Sequence, residues 1–444
     1  MKPTLTIQLR QKVAGITAFV ILSAAGYFWI RSATTVRHLA DNLIAAYLIA
    51  WGVFAFLSSI PRFEFAKRFV LLTMTIVCLL VLLEAPAWMG LLDYRQIFSI
   101  TEGFDTWDKP GFVAADEVLW LHEPHYHIQG QFTRGDVGKA LCAPHNPPQT
   151  YDLRYDRSGF RNDSDLESAD IVVVGDSFVE SPILASPALA TSLLGQLQNT
   201  KVANLGVSGY GPQQELGVLK RYAVALHPTT VVWLFYEGND LEDAQEYENK
   251  AARLPKDHNR LTRQFQRSFT RNALWAFLRT ERGCVPSRQL QQRYGTVRDS
   301  QGVEQRIYFA YPALPLSQND IDALAKARSV LAEAHRLCRE HGIRLMVVFG
   351  PTEYRVYQGL QNLATVSDEV KTWVINDLPE RLRTIAADIS PEIQYIDLTP
   401  ILRSQAASGT PVFLPDDTHW SSDGHRIVAQ TIHTILSSPM AAAQ

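Results

Sequence analysis

DIVVVGDS, residues Asp170 to Ser177, is a β-branched run that stops at Gly175-Asp176-Ser177. Apolar residues without alternation suit a strand buried on both faces, as in a parallel sheet. Four further runs repeat the pattern, at 201–205, 230–236, 343–349 and 393–398. Helical text fills the gaps. Ser186-Pro187 opens one helix as N-cap and first-turn proline, and Pro212 opens another, with Leu216, Leu219, Tyr222, Ala223 and Leu226 as an apolar stripe. A long helix over 320–341 carries Ile321, Leu324, Ala325, Arg328, Leu331, Ala332, His335 and Cys338 near one face and stops at Gly342; a last helix starts near Ser422 and runs through Ile427, Val428, Ile432 and Ile435. The alternation predicts an α/β fold, a three-layer α/β/α sandwich on a five-stranded parallel sheet, over residues 167–444.

In such sheets ligands bind beyond the carboxyl ends of the strands, and the chemistry-bearing words of this chain lie there. Ser177 follows a strand and a glycine, in a tight turn that presents its hydroxyl. A serine needs a base within hydrogen-bond reach, because its hydroxyl is a poor nucleophile at neutral pH. His419 is the candidate base, with Asp416 and Asp417 just before it to hold its Nδ1–H. Glycine-rich text follows the second strand, where the N–H of Gly209 is free to approach an anion, and Asn239 follows the third strand with a side-chain amide. Tyr354 and Arg355 sit in the loop after the fourth strand, placed to touch substrate. Two aspartates before a histidine also suit a metal, but no second ligand cluster completes a site.

The first 92 residues are of another kind. Segments 13–30, 42–60 and 69–89 are apolar, each near the ~20 residues that cross a bilayer, and predict three transmembrane helices. Lys2, Arg10 and Lys12 precede the first, and Arg62, Lys67 and Arg68 lie between the second and third, so these ends face the cytoplasm and the chain beyond Leu92 is delivered to the far side. That side is the periplasm if the source is a Gram-negative bacterium. Glu84, near the outer end of the third segment beside Pro86 and Trp88, reads as interfacial. The net charge of -3 gives no sign of a nucleic-acid binder.

Residues 93–166 are irregular, rich in Pro, Gly and aromatics, and read as an accessory segment with a few short strands packed on the side or mouth of the next domain. His125 and His127 within it read as exposed. An insertion over about 242–315 exceeds ordinary loop length, and Arg253, Lys256, Arg260, Arg263, Arg267, Arg271, Arg279 and Arg282 make its first half basic. A lid, a groove for an anionic glycan, a pad on anionic lipid or a solvated helical excursion all fit that composition; Trp275 and Phe277 suggest an amphipathic helix. Of the cysteines, Cys78 lies in a membrane segment and Cys338 in a helix, leaving Cys142 and Cys284 as the expected couple.

Together, Gly175-Asp176-Ser177, Gly209, Gly238-Asn239-Asp240 and Asp416-Asp417-Thr418-His419 resemble the SGNH (GDSL-type) serine hydrolase superfamily, whose fold is flavodoxin-like. The resemblance covers roughly 165–438, with the insertion outside it. It implies Ser177 as nucleophile, His419 as base, and an oxyanion hole of Ser177 N, Gly209 N and Asn239. The D-x-x-H spacing common in hydrolases selects Asp416; Asp417-Thr418-His419-Trp420 is similar to the D-x-H-W word of alginate O-acetyltransferase-like members and selects Asp417, which is preferred. The order of the words follows the hydrolases. The expectation is a membrane-anchored, extracytoplasmic serine esterase for O-acyl, chiefly acetyl, esters of a cell-surface glycan. The alternatives are an O-acetyltransferase served by a membrane-bound acyl donor protein, and a glycan-binding subunit of an export complex. No cofactor is expected, and the expected partners are the acylated glycan and the lipid bilayer.

Overall fold

The computed structural model describes residues 64–98, 106, 109, 111–147, 149–254, 260–280, 286–298, 301–360 and 366–438. The chain divides into two compact units, one of residues 1–100 with 260–277, the other of 101–259 with 278–444.

In the first unit, the helix Glu64–Trp88 contains Lys67–Trp88, which among the described residues is the one helix long and apolar enough to cross a membrane. The expected spans at 13–30 and 42–60 lie outside the described residues. Two insertion helices, Arg260–Arg267 and Phe269–Thr280, also belong here, so the amphipathic helix expected around Trp275 is present.

Among the described residues the second unit holds eleven strands. Those of the accessory segment are β1 (Phe112–Ala115), β2 (Leu119–His122), β3 (His127–Phe132) and β4 (Gln149–Arg154), paired antiparallel as β1 with β2 and β3 with β4. His125 and His127 are exposed, and His127 bonds Asp152 at 2.8 Å across that second pair. Then come β5 (Ile171–Gly175), β6 (Val202–Gly206), β7 (Thr230–Tyr236), the insertion hairpin β8 (Tyr294–Arg298) and β9 (Glu304–Tyr308), β10 (Arg344–Gly350) and β11 (Gln394–Asp397). The sheet is five-stranded and parallel, in the order β11-β10-β7-β5-β6. The expected strands appear within one residue at most ends.

Period-two alternation sends β5 and β7 side chains into two separate cores. Val172, Val174, Val231, Trp233 and Phe235 pack with the helix Gln318–Glu340 on one face, while Ile171, Val173, Val232, Leu234 and Tyr236 pack with the C-terminal helix Ser422–Ser437 on the other. On Gln318–Glu340 the buried face runs through Ala323, Leu324, Ala327, Val330, Leu331, Ala334 and Cys338, whereas Ala325, Arg328 and Ala332 are exposed. The expected stripe was therefore rotated, because alanines on both sides of the helix leave its polarity pattern ambiguous. Cys142 is disulfide-bonded and Cys78 and Cys338 are free; Cys284 lies outside the described residues.

His425, in the first turn of the C-terminal helix, is fully buried and its Nδ1 accepts the N–H of Ala190 at 3.1 Å, tying that helix to Ala190–Gln198. Burial, then the charges of His419 and Arg161, hold its pKa down at about 3. Below the ordinary value of 6.5 the unfolded chain takes up a proton that the folded one refuses, so stability falls as pH drops through that window. His425→Gln should flatten the loss of thermal stability between about pH 7 and pH 5, a difference of about 2 kcal/mol at the lower end. Thermal melts of both proteins across that range check it, and parallel curves contradict the assignment.

Candidate active site

β5 ends on Gly175 because the turn beyond it is crowded. A Cβ there would lie 2.6 Å from Val179, and one on Gly206, at the end of β6, 2.5 Å from the same side chain. The close approach seats the short helix Ser177–Glu180 over the sheet's carboxyl edge. Asp176 caps it by accepting the N–H of Phe178 at 2.9 Å, and Ser181 closes it in a left-handed conformation (φ 46°).

The loop between Phe413 and Trp420, which pair as an antiparallel bridge, approaches Ser177. His419 Nε2 lies 2.8 Å from Ser177 Oγ, and His419 Nδ1 lies 2.5 Å from Asp417 Oδ1. With Nδ1–H donated to Asp417, Nε2 accepts the serine hydroxyl, as a base must. Burial alone would lower the His419 pKa, but the hydrogen bond and charge of Asp417, with the charges of Asp136 and Asp176, raise it above 6.5. Burial would likewise raise Asp417, and its bond and charge interaction with His419 bring it below the ordinary value. Phe178 stacks on Tyr236 at 3.8 Å and flanks His419 at 4.9 Å, which fixes the imidazole plane.

The structure gives the two aspartates different work. Asp416 Oδ2 accepts from Gly135 N at 2.9 Å and Asn146 Nδ2 at 2.8 Å, and its carbonyl accepts from Gly138 N at 3.0 Å. It moors the accessory segment, while Asp417 orients the histidine.

That mooring brings in residues that the sequence did not point out. The N–H of Asp136 donates to Asp417 Oδ2 at 2.9 Å, and the Asp136 carboxylate accepts from Thr418 N at 2.9 Å and Thr418 Oγ1 at 2.5 Å. Although Asp136 is exposed as a residue, loss of water around its carboxylate and then the charge of Asp417 push its pKa up, against His419. One ligand atom from each of Asp136, Asp417 and His419 lies within 4.8 Å of the others, and the hydrogen bonds above account for that grouping. A Cβ on Gly135 would sit 2.0 Å from the Asp416 carbonyl, so only glycine fits. The glycines that flank Asp136 at Gly135 and Gly138 were the available signal.

Glu180 is the second hub. Its carboxylate accepts from His122 Nε2 at 2.9 Å, Tyr155 OH at 2.7 Å, and both the N–H and hydroxyl of Ser208 at 2.6 Å. Burial opposes the charge, but His122, Ser208 and Tyr155 hold its pKa at about 2. Ser208 precedes Gly209, which stands at φ +78°, so Glu180 ties the glycine loop to the nucleophile's helix. Asn239 follows β7; its Nδ2 donates to Asp243 at 2.9 Å, and its Oδ1 is buried without a partner among the described residues.

Tyr354 and Arg355 are placed otherwise than expected. Tyr354 packs between Phe309 and Trp373, and Arg355 forks onto Glu237 at 2.6 and 2.8 Å and reaches Asn376 at 2.6 Å. Both are buried, at 3% and 7% exposure, so neither side chain is presented to substrate. Pairing with Glu237, a residue that the sequence gives no reason to single out, draws the guanidinium inward.

Residues 311–443 match a family model described as "SGNH hydrolase-like domain, acetyltransferase AlgX". No curated protein matches the sequence. Solved structures with some likeness include a protein of the G-D-S-L lipolytic family from Desulfitobacterium hafniense DCB-2 (13% identity, 60% of this chain and 98% of that one, TM-score 0.33). A catalytic mutant of an acetylxylan esterase from Geobacillus stearothermophilus (11%, 63% and 99%, 0.33) and a lipase/acylhydrolase from Enterococcus faecalis (14%, 60% and 94%, 0.30) are others. Scores this low carry no argument about activity. The family match supports the SGNH resemblance with its AlgX-like character, and with it an ester hydrolase or acyltransferase.

Two outcomes follow from the geometry. Asp417→Asn should lower kcat on a chromogenic acetate ester by on the order of 10³ to 10⁴, and Asp416→Asn by no more than about 10²; the reverse ranking would reassign the histidine's partner. Since His419 must be neutral to accept a proton, kcat/KM should fall on the acid side with an apparent pKa above 6.5. Asp136→Asn removes a negative charge that favours the imidazolium, so that limb should move to lower pH.

Proposed function

We propose that this chain is a membrane-anchored, extracytoplasmic serine enzyme that removes O-acyl groups, chiefly acetyl, from a cell-surface glycan. The observation that carries the reading is the 2.8 Å approach of His419 Nε2 to Ser177 Oγ, with Asp417 behind it. As Ser177 Oγ attacks the acyl carbonyl, His419 takes its proton and Asp417 stabilises the imidazolium. Ser177 N, Gly209 N and the Asn239 N–H not held by Asp243 serve as oxyanion donors, each worth roughly 3 kcal/mol in the transition state. His419 then returns the proton to the departing sugar oxygen, leaving an acyl-serine.

Water that attacks the acyl-serine completes hydrolysis, and a sugar hydroxyl completes transfer. The AlgX description of the matched family favours keeping transfer as the second reading. In that case a membrane-bound acyl donor protein loads Ser177. A glycan-binding subunit without catalysis is the weaker reading, since binding alone gives no reason to align three side chains for proton transfer.

The apolar helix Lys67–Trp88 supports the anchor, and the cations around the N-terminal segments support an N-terminus in the cytoplasm with the catalytic domain across the inner membrane, in the periplasm.

Ser177→Ala should reduce acetate release from p-nitrophenyl acetate by at least about 10³-fold, and the wild-type enzyme quenched in turnover should carry an acetyl group on Ser177 by mass spectrometry. Undiminished turnover in Ser177→Ala would remove the nucleophile. Adding acceptor oligosaccharides then separates the readings, because only a transferase yields acetylated sugar.

A further inference from the structure

The insertion helices are moored at the end of the apolar helix. Glu84, one turn before that helix ends, accepts the N–H groups of Phe269 at 3.0 Å and Thr270 at 2.6 Å. These are first-turn donors of Phe269–Thr280, which a helix cannot satisfy by itself and which favour a carboxylate. Gln264 Nε2 donates to the carbonyl of Trp88 at 3.0 Å, Arg267 lies 3.5 Å from Asp93, and the Phe269 ring meets Tyr94 edge-on at 5.2 Å. Glu84 thus has a defined structural partner at the place where the sequence suggested only an interfacial position.

The outer side of the moored helix carries large apolar side chains, with Arg271 and Thr270 in the same arc. Leu274, Trp275 and Phe277 are 46%, 38% and 65% exposed, and Asn272 on the other side is buried. At 100° per residue the three fall within about 160° of the helix surface. Phe265 of the preceding helix and Trp88 and Met89 at the end of the apolar helix are exposed as well. The same stretch carries Arg260, Arg263, Arg267 and Arg271 and no acidic residue between 260 and 277. Aromatic and aliphatic residues on one face, in a cationic segment fixed at the end of a span, fit a bilayer interface better than water.

We propose that residues 260–277 form a lipid-contact element, which lies on the leaflet where Lys67–Trp88 leaves the membrane and sets Leu274, Trp275 and Phe277 among anionic phospholipid headgroups. The proposal rests on the membrane-anchor part of the reading above. Arg267 is committed to Asp93, and the remaining positive charge of the segment adds attraction to lipid phosphate, at about 1 kcal/mol for each cation near the surface, while the apolar face supplies burial.

The test uses the full chain with Cys78→Ala, bearing Phe277→Cys or, as a control in the other unit, Val303→Cys, a position 55% exposed. Each is labelled with an environment-sensitive nitrobenzoxadiazole probe and placed in nanodiscs of phosphatidylcholine with phosphatidylglycerol. The probe at 277 should react with aqueous dithionite at least about tenfold more slowly than at 303 and be quenched by shallow doxyl-lipid. Protection should weaken in discs of phosphatidylcholine alone. Equal reactivity at 277 and 303 overturns the proposal, and protection indifferent to lipid charge overturns its headgroup part. A chain that fails to stay in the discs overturns the anchor itself, a result separable from the other two.

Discussion

A buried carboxylate, Asp417, is the constraint on which the site depends. It is 3% exposed, and its oxygens take the Nδ1–H and backbone N–H of His419 and the backbone N–H of Asp136. Charge-assisted hydrogen bonds of this kind contribute about 1.5 to 3 kcal/mol each, and an uncompensated buried charge costs about 3 to 5 kcal/mol. The loop that carries His419 therefore cannot hold its shape alone. The segment around Gly135 and Asp136, about 280 residues earlier in the chain, completes the charge's solvation, and Asp416 holds that segment in place. A part of the chain outside the α/β repeat has thus become part of the support of Asp417 and, through it, of His419.

Ser177, the proposed nucleophile, is held from its other side by a second buried carboxylate. Glu180 gathers His122 from β2, Tyr155 beyond β4 and Ser208 before Gly209, while Arg161 donates to the carbonyls of Glu180, Ser181 and Leu184 at the end of the nucleophile's helix. With four donors its charge survives burial. The accessory segment therefore supports both the glycine loop, through His122 and Tyr155 on Glu180, and the aspartate-histidine loop, through residues 135–146, and its irregular composition reflects a segment shaped by those contacts instead of by a core of its own.

What could be read from the sequence was what periodicity and local words encode. Runs such as Asp170 to Val174 and Thr230 to Tyr236 announce buried parallel strands because both faces need apolar residues, and Ser177 and His419 announce themselves because a strand end and a nearby pair of aspartates mark them. The choice between Asp416 and Asp417 needed three dimensions: each has a carboxylate within reach of its loop, and partners in residues 135–146 decide which faces the imidazole. Asp136 and Glu180 were invisible for the same reason, since their partners are distant in sequence. Arg355 was misread because a charged residue after a strand looks like a ligand until Glu237 is found beside it.

The histidines on either side of Trp420 show how completely surroundings decide a role. His425 is buried against the Trp420 indole and His419, next to it in sequence, is part-buried, and loss of water disfavours the cation of each. His419 faces Asp417, Asp136 and Asp176, and their combined pull outweighs burial and raises its pKa. His425 meets no carboxylate of that kind, feels the positive charges of His419 and Arg161, and spends its Nδ1 lone pair on the N–H of Ala190. A ring already accepting a backbone proton donor at Nδ1, with its other nitrogen buried, has no lone pair to offer substrate. Six residues along one chain therefore separate the proposed base from a neutral packing element, and the carboxylates supplied by the neighbouring loops make the difference.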